Sequence, residues 1–93
     1  MAIQSFASAE TERFYQTGKN RRFGRIAMVA ARKLDMLNAA VSLTDLRIPP
    51  GNRLEALLGD RAGQHSIRIN DQWRVCFMWT SAGPASVEIV DYH

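Results

Sequence analysis

Cysteine and histidine are scarce in this 93-residue sequence, which has one cysteine and two histidines. The single Cys76 cannot form an internal disulfide, and there is no C-x-x-C pair. His65, His93 and the scattered carboxylates do not match the ligand spacing of a metal site. The sequence therefore predicts neither a metal nor a cofactor, and it is compatible with a reducing compartment.

Long apolar runs are absent as well. No stretch approaches the roughly 20 apolar residues that a membrane span needs, and the first residues lack a basic segment followed by a long apolar run. We therefore expect a cytoplasmic protein without membrane contact. The length fits a single domain, residues 1–93, with a modest core.

Acidic residues are missing between positions 13 and 33, where seven lysines and arginines lie. The net charge of the whole sequence is only +3, so this uneven placement predicts a local basic patch. Ten of the twelve basic residues are arginine. The planar guanidinium group of arginine can donate two parallel hydrogen bonds to the oxygens of one phosphate. A composition bias of the source genome is the alternative explanation.

Apolar periodicity predicts a short strand, two helices and then three or four strands. Residues 2–6 are a candidate opening strand, and Ser8 and Gly18 are candidate caps of a first helix. Apolar residues at spacings of three and four predict a second helix over 24–41. Strands are predicted at 53–58, after a Pro-Pro-Gly break, and at 86–92.

The stretch 59–79 predicts a β-hairpin, because apolar and polar residues alternate on both sides of a turn at Asn70-Asp71-Gln72. Arg74 is the one charge in the second strand, where it needs a carboxylate, a ligand phosphate or a wet groove as partner. The structural alternative is a salt bridge to Glu88 or Asp91. Strands so close in sequence should be antiparallel, so we predict an α+β two-layer domain with the helices on one sheet face.

Two segments resemble one toxin family. Residues 49–77, PPGNRLEALLGDRAGQHSIRINDQWRVCF, and residues 87–93, VEIVDYH, resemble the HigB toxins of the RelE/ParE superfamily, and most closely the branch that includes GraT. The resemblance extends over nearly the whole chain. It implies a RelE-like fold, with an N-terminal strand and a helical hairpin packed on an antiparallel sheet.

The resemblance also implies a function and partners. It implies a toxin of a type II toxin–antitoxin system that enters the ribosomal A site and cuts mRNA, with the RNA's own 2′-hydroxyl attacking the adjacent phosphate and no metal. The implied partners are a helix-turn-helix antitoxin of the HigA or GraA kind, the ribosome with its mRNA, and operator DNA reached through the antitoxin.

By this resemblance Arg74 holds the scissile phosphate, and Tyr92 and His93 match the terminal Tyr-His pair of the family. Tyrosine stacks on bases and histidine transfers protons near neutral pH, whereas the structural alternative is a frayed C-terminus. Asn70 matches a second hairpin position, and Arg68, two residues earlier, is the rival for its role.

The sequence departs from the family pattern at Glu55 and Leu58, where related toxins carry a histidine and a lysine. Glu55 can serve as a base, but the absence of a cation predicts a slower enzyme. The predicted RNA and ribosome contacts, which are otherwise solvated surface charges, are Arg68, Arg61, Arg53, Lys19, Arg21, Arg22 and Arg25. His65 is more simply a core or edge residue.

Two other functions stay open. A ParE-like protein shares the fold and inhibits gyrase by binding, without a need for Arg74 and the Tyr92-His93 pair. A degenerate toxin that acts mainly as a corepressor with its antitoxin is the third reading, which the departures at Glu55 and Leu58 favour.

Overall fold

The computed structural model describes residues 2–92, which form two α-helices and one four-stranded sheet. The helices are α1, Ala9–Thr17, and α2, Ala27–Ala39. The strands are β1, Glu55–Ala56; β2, His65–Arg68; β3, Trp73–Thr80; and β4, Gly83–Asp91. Their order in the sheet is β1-β2-β3-β4 and all pairs are antiparallel, which confirms the predicted α+β class. No helix within residues 2–92 is long and apolar enough to cross a membrane.

Both ends of α1 follow local sequence signals. At its start the Ser8 Oγ accepts a hydrogen bond from the Thr11 backbone N–H at 3.1 Å, which satisfies a helix donor that would otherwise lack a partner. At its end Gly18 adopts a left-handed conformation with φ 72°, and its N–H donates to the Phe14 carbonyl oxygen at 2.7 Å. The two predicted caps are thereby confirmed.

The predicted bounds of α2 are too wide. Residues 22–26 form turns rather than helix. At the other end, the Asp45 carboxylate accepts hydrogen bonds from the Val41 and Ser42 backbone N–H groups at 2.9 and 3.1 Å. These bonds hold the chain outside the helix, which ends at Ala39.

Three predicted strands also differ from the structure. Residues 2–6 form no full strand, although Phe6 makes an isolated parallel bridge with Val87. The strand predicted at 53–58 is reduced to Glu55–Ala56, because Arg53 adopts a left-handed conformation with φ 45°. The last strand begins earlier than predicted, at Gly83.

The segment between α2 and β1 consists of two short 3₁₀ turns, Leu43–Arg47 and Pro50–Asn52. The fully buried Asn52 ties them together, since its Nδ2 donates to the Leu46 carbonyl oxygen at 3.1 Å. Its Oδ1 accepts a hydrogen bond from Lys33 Nζ on α2 at 2.5 Å. This segment therefore has a fixed position beside the edge strand.

The two faces of the sheet have different tasks. One face packs against the helices, with fully buried apolar side chains that include Phe14, Leu34, Leu37, Ile67, Val75, Phe77 and Val87. Each such side chain contributes about 1.5–3 kcal/mol by leaving water. Because side chains alternate along a strand, the opposite face carries the polar residues Glu55, Ser66, Arg68, Arg74 and Glu88.

Candidate functional site

Two arginines face each other across the β2–β3 hairpin. The register pairs Arg68 with Arg74, and residues paired in this way share a face of the sheet and repel each other when their charges are alike. Carboxylates offset this repulsion, because Arg68 is ion-paired with Asp71 and Arg74 Nη2 lies 3.7 Å from Glu55 Oε1. The polar face thus holds two neighbouring arginines, each with one carboxylate partner.

The Arg74 guanidinium group has a fixed orientation. Its Nε donates to Ser66 Oγ at 2.7 Å, and its Nη2 donates to the Arg53 carbonyl oxygen at 2.7 Å. Only 11% of the side chain is exposed. Its Nη1 has no hydrogen-bond partner within residues 2–92, so one arm of the fork is left to bind an oxyanion.

The carboxylate partner of Arg74 differs from both residues considered from the sequence. Glu88 lies opposite Cys76 in the sheet and pairs instead with Arg61, at 3.4 Å. Asp91 lies opposite Trp73, and its Oδ2 accepts a hydrogen bond from Gln72 Nε2 at 3.1 Å. Glu55 approaches Arg74 because β1 pairs with β2, which sets Glu55 opposite Ser66.

A cavity of about 280 Å³ opens on the polar face, and we call it the arginine cavity. Six residues predicted from the sequence meet there, together with Asp71; the lining is Arg53, Glu55, Arg68, Asn70, Asp71, Arg74 and Tyr92. Asp71 was missed as a site residue, although a carboxylate three positions after Arg68 at a turn is a signal for an ion pair. The cavity combines cations, carboxylates and a phenol, which suits an anionic ligand with exchangeable protons.

Tyr92 is held in place by the hairpin turn. Its backbone N–H donates to the Gln72 carbonyl oxygen at 2.6 Å, and 40% of the residue is exposed. The chain up to Tyr92 is therefore bonded to the sheet, in contrast to a frayed end. His93 lies outside the described residues.

Asn70 and Arg68 have different tasks in the structure. The Asn70 Oδ1 accepts hydrogen bonds from the backbone N–H groups of Gln72 and Trp73, both at 2.8 Å, which is the way asparagine closes a turn. The part of Asn70 that stays available for a ligand is its amide NH₂ group. Arg68 brings the second positive charge.

Cys76 also lies on the polar face, opposite Ser66 in the β2–β3 register, but it is buried. Burial raises the pKa of its thiol, so Cys76 stays protonated at neutral pH and is a weak nucleophile. Within residues 2–92, no three His, Cys, Asp or Glu side chains are grouped so that they could hold a metal ion.

The basic connector between the helices forms a separate groove. Arg21, Arg22 and Arg25 line about 410 Å³ of space beside Gln72 and Trp73. The hairpin turn separates this space from the arginine cavity, because Asn70 and Asp71 line the arginine cavity whereas Gln72 and Trp73 line the space beside the connector. We call this second space the connector groove.

Not every cation of the connector is free. Arg22 Nη1 lies 2.7 Å from Glu10 Oε1, and the Arg22 guanidinium carbon lies 5.1 Å from the centre of the Trp73 ring. Lys19 is exposed and lines neither space. The same holds for Leu58, which is 87% exposed.

Comparison with known proteins decides the family. The sequence model described as "RelE-like toxin of type II toxin-antitoxin system HigB" matches residues 4–93. The chain belongs to the HigB family of RelE-like toxins. It is therefore a toxin of a type II toxin–antitoxin system, with an antitoxin as partner.

Two relatives are similar to this chain over most of its length. Toxin HigB-1 of Vibrio cholerae serotype O1 is 42% identical over 95 residues, which cover 100% of this chain and 98% of that toxin. An uncharacterized protein of Haemophilus influenzae is 41% identical over 69 residues, which cover 72% of this chain and 68% of its own length. The resemblance to HigB toxins is thereby confirmed, and the narrower likeness to the GraT branch stays a prediction.

Proposed function

We propose that this HigB-family toxin is a ribosome-dependent endoribonuclease that cuts mRNA in the A site and so inhibits translation. The observation that carries the proposal is the opposed pair Arg68 and Arg74, which lines the arginine cavity. Arg74 Nη1 has no hydrogen-bond partner within residues 2–92 and can donate to a ligand. A phosphodiester matches the arginine fork in charge and geometry. RNA also carries the 2′-hydroxyl that the reaction uses.

The proposed reaction needs only proton transfer and charge stabilisation. A base takes the proton of the 2′-hydroxyl, whose oxygen bonds to the adjacent phosphorus while the bond from phosphorus to the 5′ oxygen breaks. An acid gives a proton to the departing 5′ oxygen. The products are a 2′,3′-cyclic phosphate and a 5′-hydroxyl, and no oxidant or further reactant enters the balance.

We assign the stabilisation of negative charge in this reaction to the two arginines. Negative charge collects on the phosphoryl oxygens as the new bond forms, and donors already aimed at that position lower the barrier. Arg74 is already oriented by Ser66 and the Arg53 carbonyl group, so its Nη1 can bind one oxygen without reorganisation. Arg68 is the second cation on the same face.

Proton transfer is assigned to the end of the chain. Tyr92 lines the arginine cavity, and His93 follows it directly in the sequence. Glu55 is the other candidate base, because its carboxylate lies at the same cavity beside Arg74. Asn70 is suited to hydrogen-bond an RNA base through its amide group.

We propose partners that follow from the same reading. The antitoxin carries a helix-turn-helix domain of the HigA or GraA kind, and the pair binds operator DNA through it. Ribosomal RNA phosphates bind Lys19, Arg21, Arg22 and Arg25. Arg53, which lines the arginine cavity, and Arg61, which is ion-paired with Glu88, contact RNA as well.

The test is cleavage of mRNA on ribosomes that hold a defined codon in the A site. We expect the wild-type protein to give fragments with 5′-hydroxyl ends, and Arg74→Ala to cleave about 10² to 10³ times more slowly. Arg13→Ala is the matched control, because Arg13 is an exposed arginine of α1. Circular dichroism shows whether each variant is folded.

Absence of cleavage by the wild-type protein, or equal rates for wild type and Arg74→Ala, would reject the proposal. Growth inhibition by Arg74→Ala without any cleavage would instead indicate an inhibitor that acts by binding.

A further inference from the structure

A second cavity adjoins the arginine cavity and shares Arg53 with it. It has a volume of about 340 Å³ and lies between the 3₁₀ turns and the edge strand; its lining is Leu43, Thr44, Arg47, Pro50, Arg53, Leu54, Ala56 and His65. A volume of about 300–1,000 Å³ is usual for ligand sites. We call it the edge cavity, and the function proposed above leaves it unused.

Two exposed arginines give the edge cavity its charge. Arg47 and Arg53 are exposed, and neither takes part in an ion pair within residues 2–92. The Arg53 main chain is fixed, since its N–H donates to the Pro50 carbonyl oxygen at 3.1 Å and its own carbonyl oxygen accepts from Arg74. Arg53 therefore lines both cavities, and its backbone is held in position by the hydrogen bond from Arg74.

The lining also includes a histidine with an unsatisfied nitrogen. The His65 ring stacks on Phe77 with 6.3 Å between ring centres, and its Nδ1 is buried without a hydrogen-bond partner within residues 2–92. Because Nδ1 is closed off by burial, Nε2 is the ring nitrogen that His65 presents for a hydrogen bond with a ligand in the cavity.

We infer that the edge cavity binds a nucleotide of the RNA substrate that flanks the cleaved phosphodiester. Arg47 and Arg53 hold the flanking phosphate, the base packs on Leu43 and Leu54, and His65 Nε2 forms a hydrogen bond with the base. Arg53 gives the strand a continuous path from one cavity to the other. The inference rests on the proposed function, because the substrate RNA must first occupy the arginine cavity.

The test measures binding of short labelled RNAs to the full-length protein without ribosomes. The attacking nucleotide is 2′-deoxy, so that cleavage cannot occur. A dinucleotide spans only the cleaved position, and two longer oligonucleotides extend it by two nucleotides on the 5′ or on the 3′ side. The proteins are wild type, Arg47→Gln, Arg74→Gln and the charge-matched control Arg13→Gln.

We expect one of the two extensions to tighten binding to wild type about ten- to a hundredfold, the usual gain from charged hydrogen bonds. Arg47→Gln should remove this gain and leave the Kd of the dinucleotide unchanged. It should also reduce the slope of log Kd against log salt by about 0.7, because one phosphate is no longer neutralised. Arg13→Gln should behave like wild type in each measurement, and thermal unfolding of all four proteins checks the fold.

The inference is overturned if neither extension tightens binding to wild type, or if Arg47→Gln binds all RNAs as Arg13→Gln does. The proposed function fails in a different way, namely if Arg74→Gln cleaves mRNA on programmed ribosomes as fast as wild type does. The two failures can therefore be told apart by separate measurements, RNA binding for the inference and ribosomal cleavage for the function.

Discussion

At the scale of single residues, Glu55 has two opposite effects on the arginine cavity. Its carboxylate lies 3.7 Å from Arg74 Nη2, which helps to hold the guanidinium group but also cancels part of the charge that would bind a phosphate. The Glu55 side chain is 55% exposed, so water screens the ion pair and leaves it weak. As a carboxylate near the cavity it is also a candidate base.

Glu55→Gln separates these roles, because glutamine keeps the shape and removes the charge. We expect the effect on binding to prevail, so that KM for programmed ribosomes falls about two- to fivefold while kcat stays the same. The measurement is steady-state cleavage at several ribosome concentrations, with Asp60→Asn as a charge-matched control outside the cavity. A fall in kcat of tenfold or more at constant KM would assign the base role to Glu55.

Arg74 could be predicted as a site residue from the sequence, because a charged side chain inside an apolar strand needs a polar partner wherever that strand lies in the fold. Its partners could not be predicted. The Arg53 carbonyl group is a backbone atom 21 residues away, and the approach of Glu55 depends on the register of a strand of two residues. Glu88 and Asp91 were plausible only until the β3–β4 register placed Val90 opposite Arg74.

At the scale of elements, the 3₁₀ turn Leu43–Arg47 supplies Thr44 and Arg47 to the edge cavity. Asp45 forms a capping box at its start, with hydrogen bonds from the Val41 and Ser42 backbone N–H groups. These hydrogen bonds hold the pKa of the Asp45 carboxyl below its ordinary value of 3.8, and the bond from Val41 has the largest effect. The charged form of Asp45 therefore stabilises the folded chain.

Because the pKa is lower in the folded state, this stabilisation is present above about pH 4 and disappears as the pH falls through the folded value. We expect Asp45→Asn to lower the urea midpoint at neutral pH, and the difference from wild type to shrink below about pH 4. Urea unfolding at a series of pH values measures both effects. Asp60→Asn, which changes an exposed carboxyl in the 3₁₀ turn Gly59–Arg61, serves as control, and a difference that is independent of pH would contradict the prediction.

The helices and the hairpin could be predicted because their apolar residues recur with a regular period and their ends carry capping residues such as Ser8 and Gly18. The 3₁₀ turns between α2 and β1 have no such period. What orders them is the buried Asn52 with its bonds to Lys33 and the Leu46 carbonyl group, a tertiary contact that a linear pattern does not contain. Most of the edge cavity belongs to this segment and was missed for the same reason.

At the scale of the whole molecule, positive charge lies on both sides of the hairpin turn. The arginine cavity and the connector groove are separated by residues 70–73. Arg22 is bound to Glu10 and Trp73, whereas Arg21 and Arg25 are exposed and make no ion pair within residues 2–92. The connector groove therefore offers two arginines without ion-pair partners, at a distance from the cavity proposed for cleavage.

The last prediction concerns the division of labour between these surfaces. In the double variant Arg21→Gln and Arg25→Gln, we expect KM for programmed ribosomes to rise and kcat at saturation to stay the same, because the proposed chemistry takes place on the other side of the turn. The slope of log KM against log salt should fall by about 0.7 to 0.9 for each phosphate that the variant no longer neutralises.

The same two positions changed to lysine keep the charge and should restore most of the binding, since a phosphate contact at an exposed groove depends mainly on charge. A lower kcat with unchanged KM in the glutamine variant would place the connector in the chemical step. Unchanged KM and salt slope would show that the ribosome does not contact the connector groove.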